Sequence, residues 1–121
     1  MTPNFFNIDR DDNGIARELA PGITAAIHTG DQAMVSVVRV APGARGTVHD
    51  HPEEQWGYCI AGSGVRHQDG VDTPIGAGDF WRTPGGVQHT VEAGPEGLTI
   101  LDVFAPPRAA YTKPGKGFAS D

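Results

Sequence analysis

The sequence predicts an all-β chain, a sandwich or barrel of short strands, on two observations. Glycine and proline, 17 and 10 of 121 residues, punctuate it at Pro21-Gly22, Pro42-Gly43, Gly62, Gly64, Gly70, Gly76, Gly78, Pro84-Gly85-Gly86 and Gly94-Pro95. Breaks that close leave almost no room for helices of ten or more residues. Between them lie β-branched or alternating segments, the pattern of half-buried strands.

In chain order these segments are residues 23–29, 33–41, 46–51, 55–61, 64–68, 71–75, 80–83, 89–93 and 98–104. Asp69-Gly70 lies between two of them as a hairpin signal, because both residues tolerate the positive φ of a tight turn. Residues 1–22 read as an irregular arm that adds an edge strand to a partner subunit. Residues 106–121, with Pro106-Pro107 and Lys113-Pro-Gly-Lys-Gly, read as a surface tail. The expected organisation is one domain over 1–121, its barrel at about 23–105; 121 residues suit a single core.

With 38% hydrophobic and 20% charged residues, the chain is too apolar for disorder and too polar for a membrane span. Nine basic against fifteen acidic residues, the basic ones scattered, give a net charge of −6 and argue against a nucleic-acid partner. The opening MTPNFFNIDRDD lacks the basic-then-apolar order of an export signal, and one cysteine, Cys59, suits a reducing compartment. The expected location is cytoplasmic.

The histidines carry the chemistry. His49 and His51 are two apart, so in an extended segment both rings face the same way. A turn at Pro52 sets Gln55, at the start of the next strand, beside them. Imidazole is the commonest protein ligand for mid-series divalent ions, and three histidines with one oxygen ligand leave positions open for water or substrate. One divalent ion is expected, and Zn, Ni, Fe, Mn and Co all accept such ligands.

Here the sequence resembles the cupin superfamily. Gly43, His49, His51, Gln55 and Gly62 match every spacing of the first cupin motif. Gly78, Pro84, Gly86 and His89 match the second, with Ala93 where the family has Asn. The matched segment, residues 43–93, implies a double-stranded β-helix, the jelly-roll barrel, with metal ligands His49, His51, His89 and a fourth residue. Where the family has Glu this chain has Gln55. Glu54, only three residues after His51, would turn away by strand alternation, so Gln55 is favoured. A neutral amide leaves the ion one unit more positive and removes a carboxylate beside it that could act as a base. Small cupins are usually dimers, so a homodimer is expected, with Phe5-Phe6 as a contact.

A narrower resemblance adds roles. His49-Asp-His-Pro-Glu-Glu-Gln-Trp-Gly-Tyr58 and Asp102-Val-Phe104-Ala-Pro-Pro-Arg108 look like the cupins that linearise unsaturated uronates released in pectin and alginate breakdown. Independently, Ile100, Asp102 and Phe104 share one strand face, and an inward Asp102 in apolar surroundings is a plausible general acid or base. The resemblance implies that Asp102 moves a proton, Phe104 lines the site and Arg108 pairs with the substrate carboxylate. Trp81 and Arg39 are further candidates for substrate contact. His28 and His67 read as solvent-facing, and Cys59 as an inert small hydrophobe. The leading expectation is a metal-dependent, isomerase- or lyase-like enzyme of carbohydrate metabolism, acting on a small sugar acid. The alternatives are a cupin dioxygenase using Fe(II) or a similar ion, and a non-catalytic metabolite-binding barrel.

Overall fold

A computed structural model describes residues 4–10 and 13–118 of the chain. Its strands are β1 (Ile15–Ala20), β2 (Ile23–Thr29), β3 (Met34–Val40), β4 (Glu54–Gln68), β5 (Val71–Gly76), β6 (Phe80–Thr83), β7 (His89–Ala105) and β8 (Gly115–Lys116). They run in the order β5-β4-β7-β3-β2-β1-β8, with β6 also on β4. No helix among the described residues is long and apolar enough to cross a membrane.

Four predicted strands are fused into two long ones. Segments 55–61 and 64–68 form β4, and segments 89–93 and 98–104 form β7. The glycines between them bend the chain without ending the ladder. Gly62 holds φ +86°, and a Cβ there would meet the Gly97 carbonyl oxygen at 2.0 Å, so only glycine permits the approach. The β4–β7 register shifts between Cys59 and Ala61 and again between Gly62 and Gly64. The first half of β4 pairs with β6 and the second half with β5, so both long strands pass from one wall of the barrel to the other. The result is the jelly-roll barrel, filled by Ile23, Ile27, Met34, Val38, Leu98, Ile100 and Phe104. Asp69 (φ 52°) and Gly70 (φ 75°) form the β4–β5 hairpin turn.

The two ends of the chain differ from expectation. Within the segment read as an irregular arm, Ile15–Ala20 pairs antiparallel with β2 of the same chain. Its residues alternate, with Arg17 and Leu19 buried, but Ala, Arg and Glu are weak strand formers, so pairing outweighs local propensity. The segment read as a surface tail folds back: Ala109–Thr112 form a 3-10 turn, Tyr111 is buried and β8 runs parallel to β1. Arg17 fixes it, donating from Nε to the Gly117 carbonyl (2.8 Å), from Nη2 to Lys116 (2.9 Å) and from Nη1 to Ala110 (3.2 Å). Residues 1–3, 11–12 and 119–121 of those segments lie outside the described residues. Segment 46–51 is held by two bridges, Arg45 to Glu92 and His49 to His89, rather than by a full ladder.

Candidate metal centre

The backbone brings the three motif histidines together. His49 and His89 face each other across a bridge whose amides bond both ways, at 3.1 and 2.9 Å, so their rings leave the same side 4.4 Å apart. His51 follows two residues on, its ring 5.0 Å from that of His89. The Pro52 turn is clamped to the Pro84–Gly86 loop by the Gly86 amide donating to the His51 carbonyl at 2.8 Å. Gly85 sits so close to Pro52 that a Cβ would lie 2.2 Å from its carbonyl oxygen. One candidate ligand atom from each of His49, His51 and His89 lies within 4.8 Å of the others.

Second contacts fix which nitrogen faces inward. Each Nδ1 donates to a backbone carbonyl: His49 to Thr47 (2.7 Å), His51 to Glu53 (3.0 Å) and His89 to Val87 (2.8 Å). A neutral imidazole that spends its proton there presents an Nε2 lone pair to the cavity, the arrangement metal-ligating histidines use. Burial holds all three neutral, pushing His49 down to about 4 and His89 to about 2, with His51 also lowered.

Gln55 is buried, and its Oε1 lies 2.9 Å from His51 Nε2. Gln55 and Asp102 line the same cavity, and Gln55 pairs across from Phe104 on β7, two residues from Asp102. The two acceptors, Gln55 Oε1 and His51 Nε2, repel unless something positive lies between them. About 3 Å is also the spacing of adjacent ligands on one ion with bonds near 2.1 Å. His89 Nε2 is buried without a hydrogen-bond partner. The donor set therefore fits one divalent ion. Glu54 points outward, accepting from Trp56 Nε1 (2.8 Å) and paired with Arg82 (3.6 Å).

A small cavity of about 30 Å³ adjoins these residues, lined by His49, His89, Gln55, Asp102, Phe104 and Arg66 among others. Asp102 Oδ1 is sealed from solvent, though the residue as a whole keeps partial exposure. Burial raises the Asp102 carboxyl to about 6, against the opposing pull of Arg66 and of the Gln55 hydrogen bond. Phe104 sits edge-on to His51 at 5.5 Å. Ser36 Oγ and Thr90 Oγ1, on the same cavity wall, are buried without hydrogen-bond partners among the described residues.

Other candidates fall elsewhere. Arg108 is 2% exposed, its Nε 3.6 Å from Glu53 Oε1 and its guanidinium 4.2 Å above the Tyr111 ring, and it is not on the cavity wall. Arg39 faces outward on β3, donates to the Ile8 carbonyl at 2.8 Å and lines a separate groove with Pro42 and Leu98. Trp81 pairs across from Gly57 and packs its ring against that glycine, lining an outer cleft instead of the inner cavity. Both therefore lie outside the cavity that His49, His89 and Gln55 line. His28 is buried against Phe6, the rings stacked at 3.6 Å, so His28 departs from its expected solvent-facing place, while Phe6 stays partly exposed. His67 is mostly buried between Asp72 and Glu92. Cys59 is fully buried with its thiol pushed up, which suits an inert side chain.

Sequence reasoning missed Arg66, Tyr111 and Phe118. Alternation from Gln55 puts odd-numbered residues inward, and the extra β4 residue between Cys59 and Ala61 switches the face, so that Arg66 turns in. Phe118 stacks on His49 at 4.1 Å and closes the cavity with Tyr111.

Comparison with known proteins agrees with this architecture. The family model for the cupin domain matches residues 36–104. The pectin degradation protein KdgF of Dickeya dadantii is 34% identical over 103 residues, covering 84% of this chain and 94% of that protein. Oxalate decarboxylase OxdC of Bacillus subtilis is 36% identical over 73 residues, 55% of this chain, which spans only 19% of OxdC. The solved structure of KdgF from Halomonas sp. superposes with a TM-score of 0.78 at 27% identity, covering 90% of this chain and 98% of that one. With a full-length barrel, the motif histidines converged on one cavity, and the domain model matched across more than half its length, the chain belongs to the cupin family.

Proposed function

We propose that this cupin is a metal-dependent enzyme that opens and tautomerises an unsaturated uronate or a related sugar acid. The observation that carries the reading is Asp102: a buried carboxyl of raised proton affinity that shares a cavity with His49, His89 and Gln55. Similarity to the pectin degradation protein KdgF over most of both chains supports the substrate class. A bound divalent ion, held by His49, His51, His89 and Gln55, supplies Lewis acidity toward a substrate oxygen.

The chain's own residues supply the rest. The Asp102 carboxylate takes the proton of the hemiacetal hydroxyl, the C1–O5 ring bond breaks as the C1 carbonyl forms, and the electron pair passes to the enol oxygen at C5. Protonated Asp102 then returns the proton to C4, leaving a linear keto acid. Atoms balance with no oxidant, and a group that ionises near neutrality suits both transfers. Ser36 Oγ and Thr90 Oγ1 offer hydrogen bonds to substrate hydroxyls. Free space of about 30 Å³ is far less than a sugar acid occupies, so substrate entry requires Tyr111 and Phe118 to move, carried by segment 109–118.

The test is to add a 4,5-unsaturated galacturonate to metal-loaded protein and follow the ultraviolet absorbance of its conjugated double bond beside an oxygen electrode. Loss of absorbance without oxygen uptake is expected. No absorbance loss, or loss coupled to oxygen consumption, contradicts the proposal.

A further inference from the structure

Arg66 carries a charge into the barrel that no direct ion pair completes, with the Asp102 carboxylate the charge that opposes it across the cavity. It is 6% exposed and lines the same cavity as His49, His89, Gln55 and Asp102. Its hydrogen bonds go to neutral oxygens, Nε to Gln68 Oε1 at 3.2 Å and Nη2 to Thr83 Oγ1 at 2.9 Å. Thr83 in turn donates to Gln68 at 2.7 Å, so the guanidinium is held in one orientation. Among the described residues, no carboxylate oxygen lies within the 4.0 Å of an ion pair, and Nη1 makes no hydrogen bond. Burying an unpaired charge is costly, so such a group persists where a ligand completes it. Arg108, by contrast, has Glu53 beside it and lies off the cavity wall.

The charge balance points the same way. Gln55 contributes none, so within the cavity wall Asp102 alone opposes Arg66, and a bound cation would leave the wall net positive. Arg66 also lines the outer cleft of about 350 Å³ beside Phe80 and Trp81, so its field reaches a region open to solvent.

We infer that Arg66, rather than Arg108, recognises the substrate's carboxylate and makes the site select acidic sugars over neutral ones. The substrate's identity rests on the uronate reading; the preference for a carboxylate rests on Arg66 itself. A planar fork gives two-pronged recognition that a lysine matches only in part.

Calorimetry on zinc-loaded protein, comparing galacturonate with galactose, tests this. Wild type should prefer galacturonate by at least about tenfold, Arg66→Met should lose the preference and Arg66→Lys should keep part of it. An Arg66→Met protein that still prefers galacturonate, a wild type that binds both sugars alike, or a preference lost only in Arg108→Met overturns the assignment. If Arg66→Met does not fold, the Nε–H resonance of Arg66 in ¹⁵N-arginine-labelled wild type decides. It should shift with galacturonate and stay with galactose, and an unmoved signal overturns the inference. Selective binding without turnover of the unsaturated uronate would sink the proposed reaction and leave Arg66 its role. Turnover with KM unchanged in Arg66→Met would do the reverse.

Discussion

Replacing Arg17 with Met tests how the chain's end covers the candidate metal centre. The Arg17 guanidinium donates to the carbonyls of Gly117, Lys116 and Ala110 at 2.8, 2.9 and 3.2 Å, and it lies 5.0 Å from the Tyr111 ring. Beside these bonds, segment 109–118 is held by the buried Tyr111 against Phe104 and Arg108, by Phe118 on His49, by the two-residue β8 and by the Gly117 amide donating to the Glu18 carbonyl at 2.8 Å. The freed carbonyls regain water once the segment lifts, so the loss is the net worth of a charged hydrogen-bonding group, about 2–3 kcal/mol. At about 1.4 kcal/mol per tenfold, the open population rises roughly 30- to 100-fold. Phe118, stacked on His49, leaves with the segment. Transfer of bound metal to excess chelator should therefore quicken by a similar factor, and hydrogen exchange across 109–118 should lose protection while β3 and β7 keep theirs. Unchanged transfer and unchanged exchange would refute the reasoning.

Asp102→Asn should keep its metal and lose turnover by about 100-fold or more, the usual worth of a general acid–base group; paired metal analysis and rate assays check it. Gln55→Ala should weaken metal retention by about 10- to 100-fold, whereas Glu54→Ala, removing a side chain that faces Trp56 and Arg82, should not; chelator competition separates them. Metal-free protein should lose stability on acidification. His49 and His89, lowered from 6.5 to about 4 and about 2, stay neutral in the fold while the unfolded chain takes up protons, each contributing about 2 kcal/mol of loss between pH 6.5 and 5. Asp102, raised to about 6, binds its proton in the fold over that window and offsets part of this, so the net melting temperature should still fall. Arg39→Ala, altering a residue on a separate groove, should leave metal content and turnover as they are.

Much of the fold was legible because glycine and proline marked most turns and the strands between them alternated. The histidine cluster was legible because two gapped motifs fix the backbone on either side of the His49–His89 bridge and at the Pro52 turn. What escaped depended on events that alternation cannot see. One extra residue in β4 between Cys59 and Ala61 turned Arg66 inward, and the space beside Gly57 took Trp81 away from the inner cavity. The ends escaped because Arg17 meets its partners 93 to 100 residues along the chain, a pairing that no local pattern in Ile15–Ala20 or in the proline-rich end announces.

The account stands on a single ion held by side chains from distant parts of the chain. A structure of cobalt-loaded protein, with anomalous scattering at the cobalt edge, tests it most directly. One ion per chain bound by the Nε2 atoms of His49, His51 and His89 and by Oε1 of Gln55 is the predicted result. A cavity that stays empty under saturating cobalt, or an ion bound elsewhere, would contradict it.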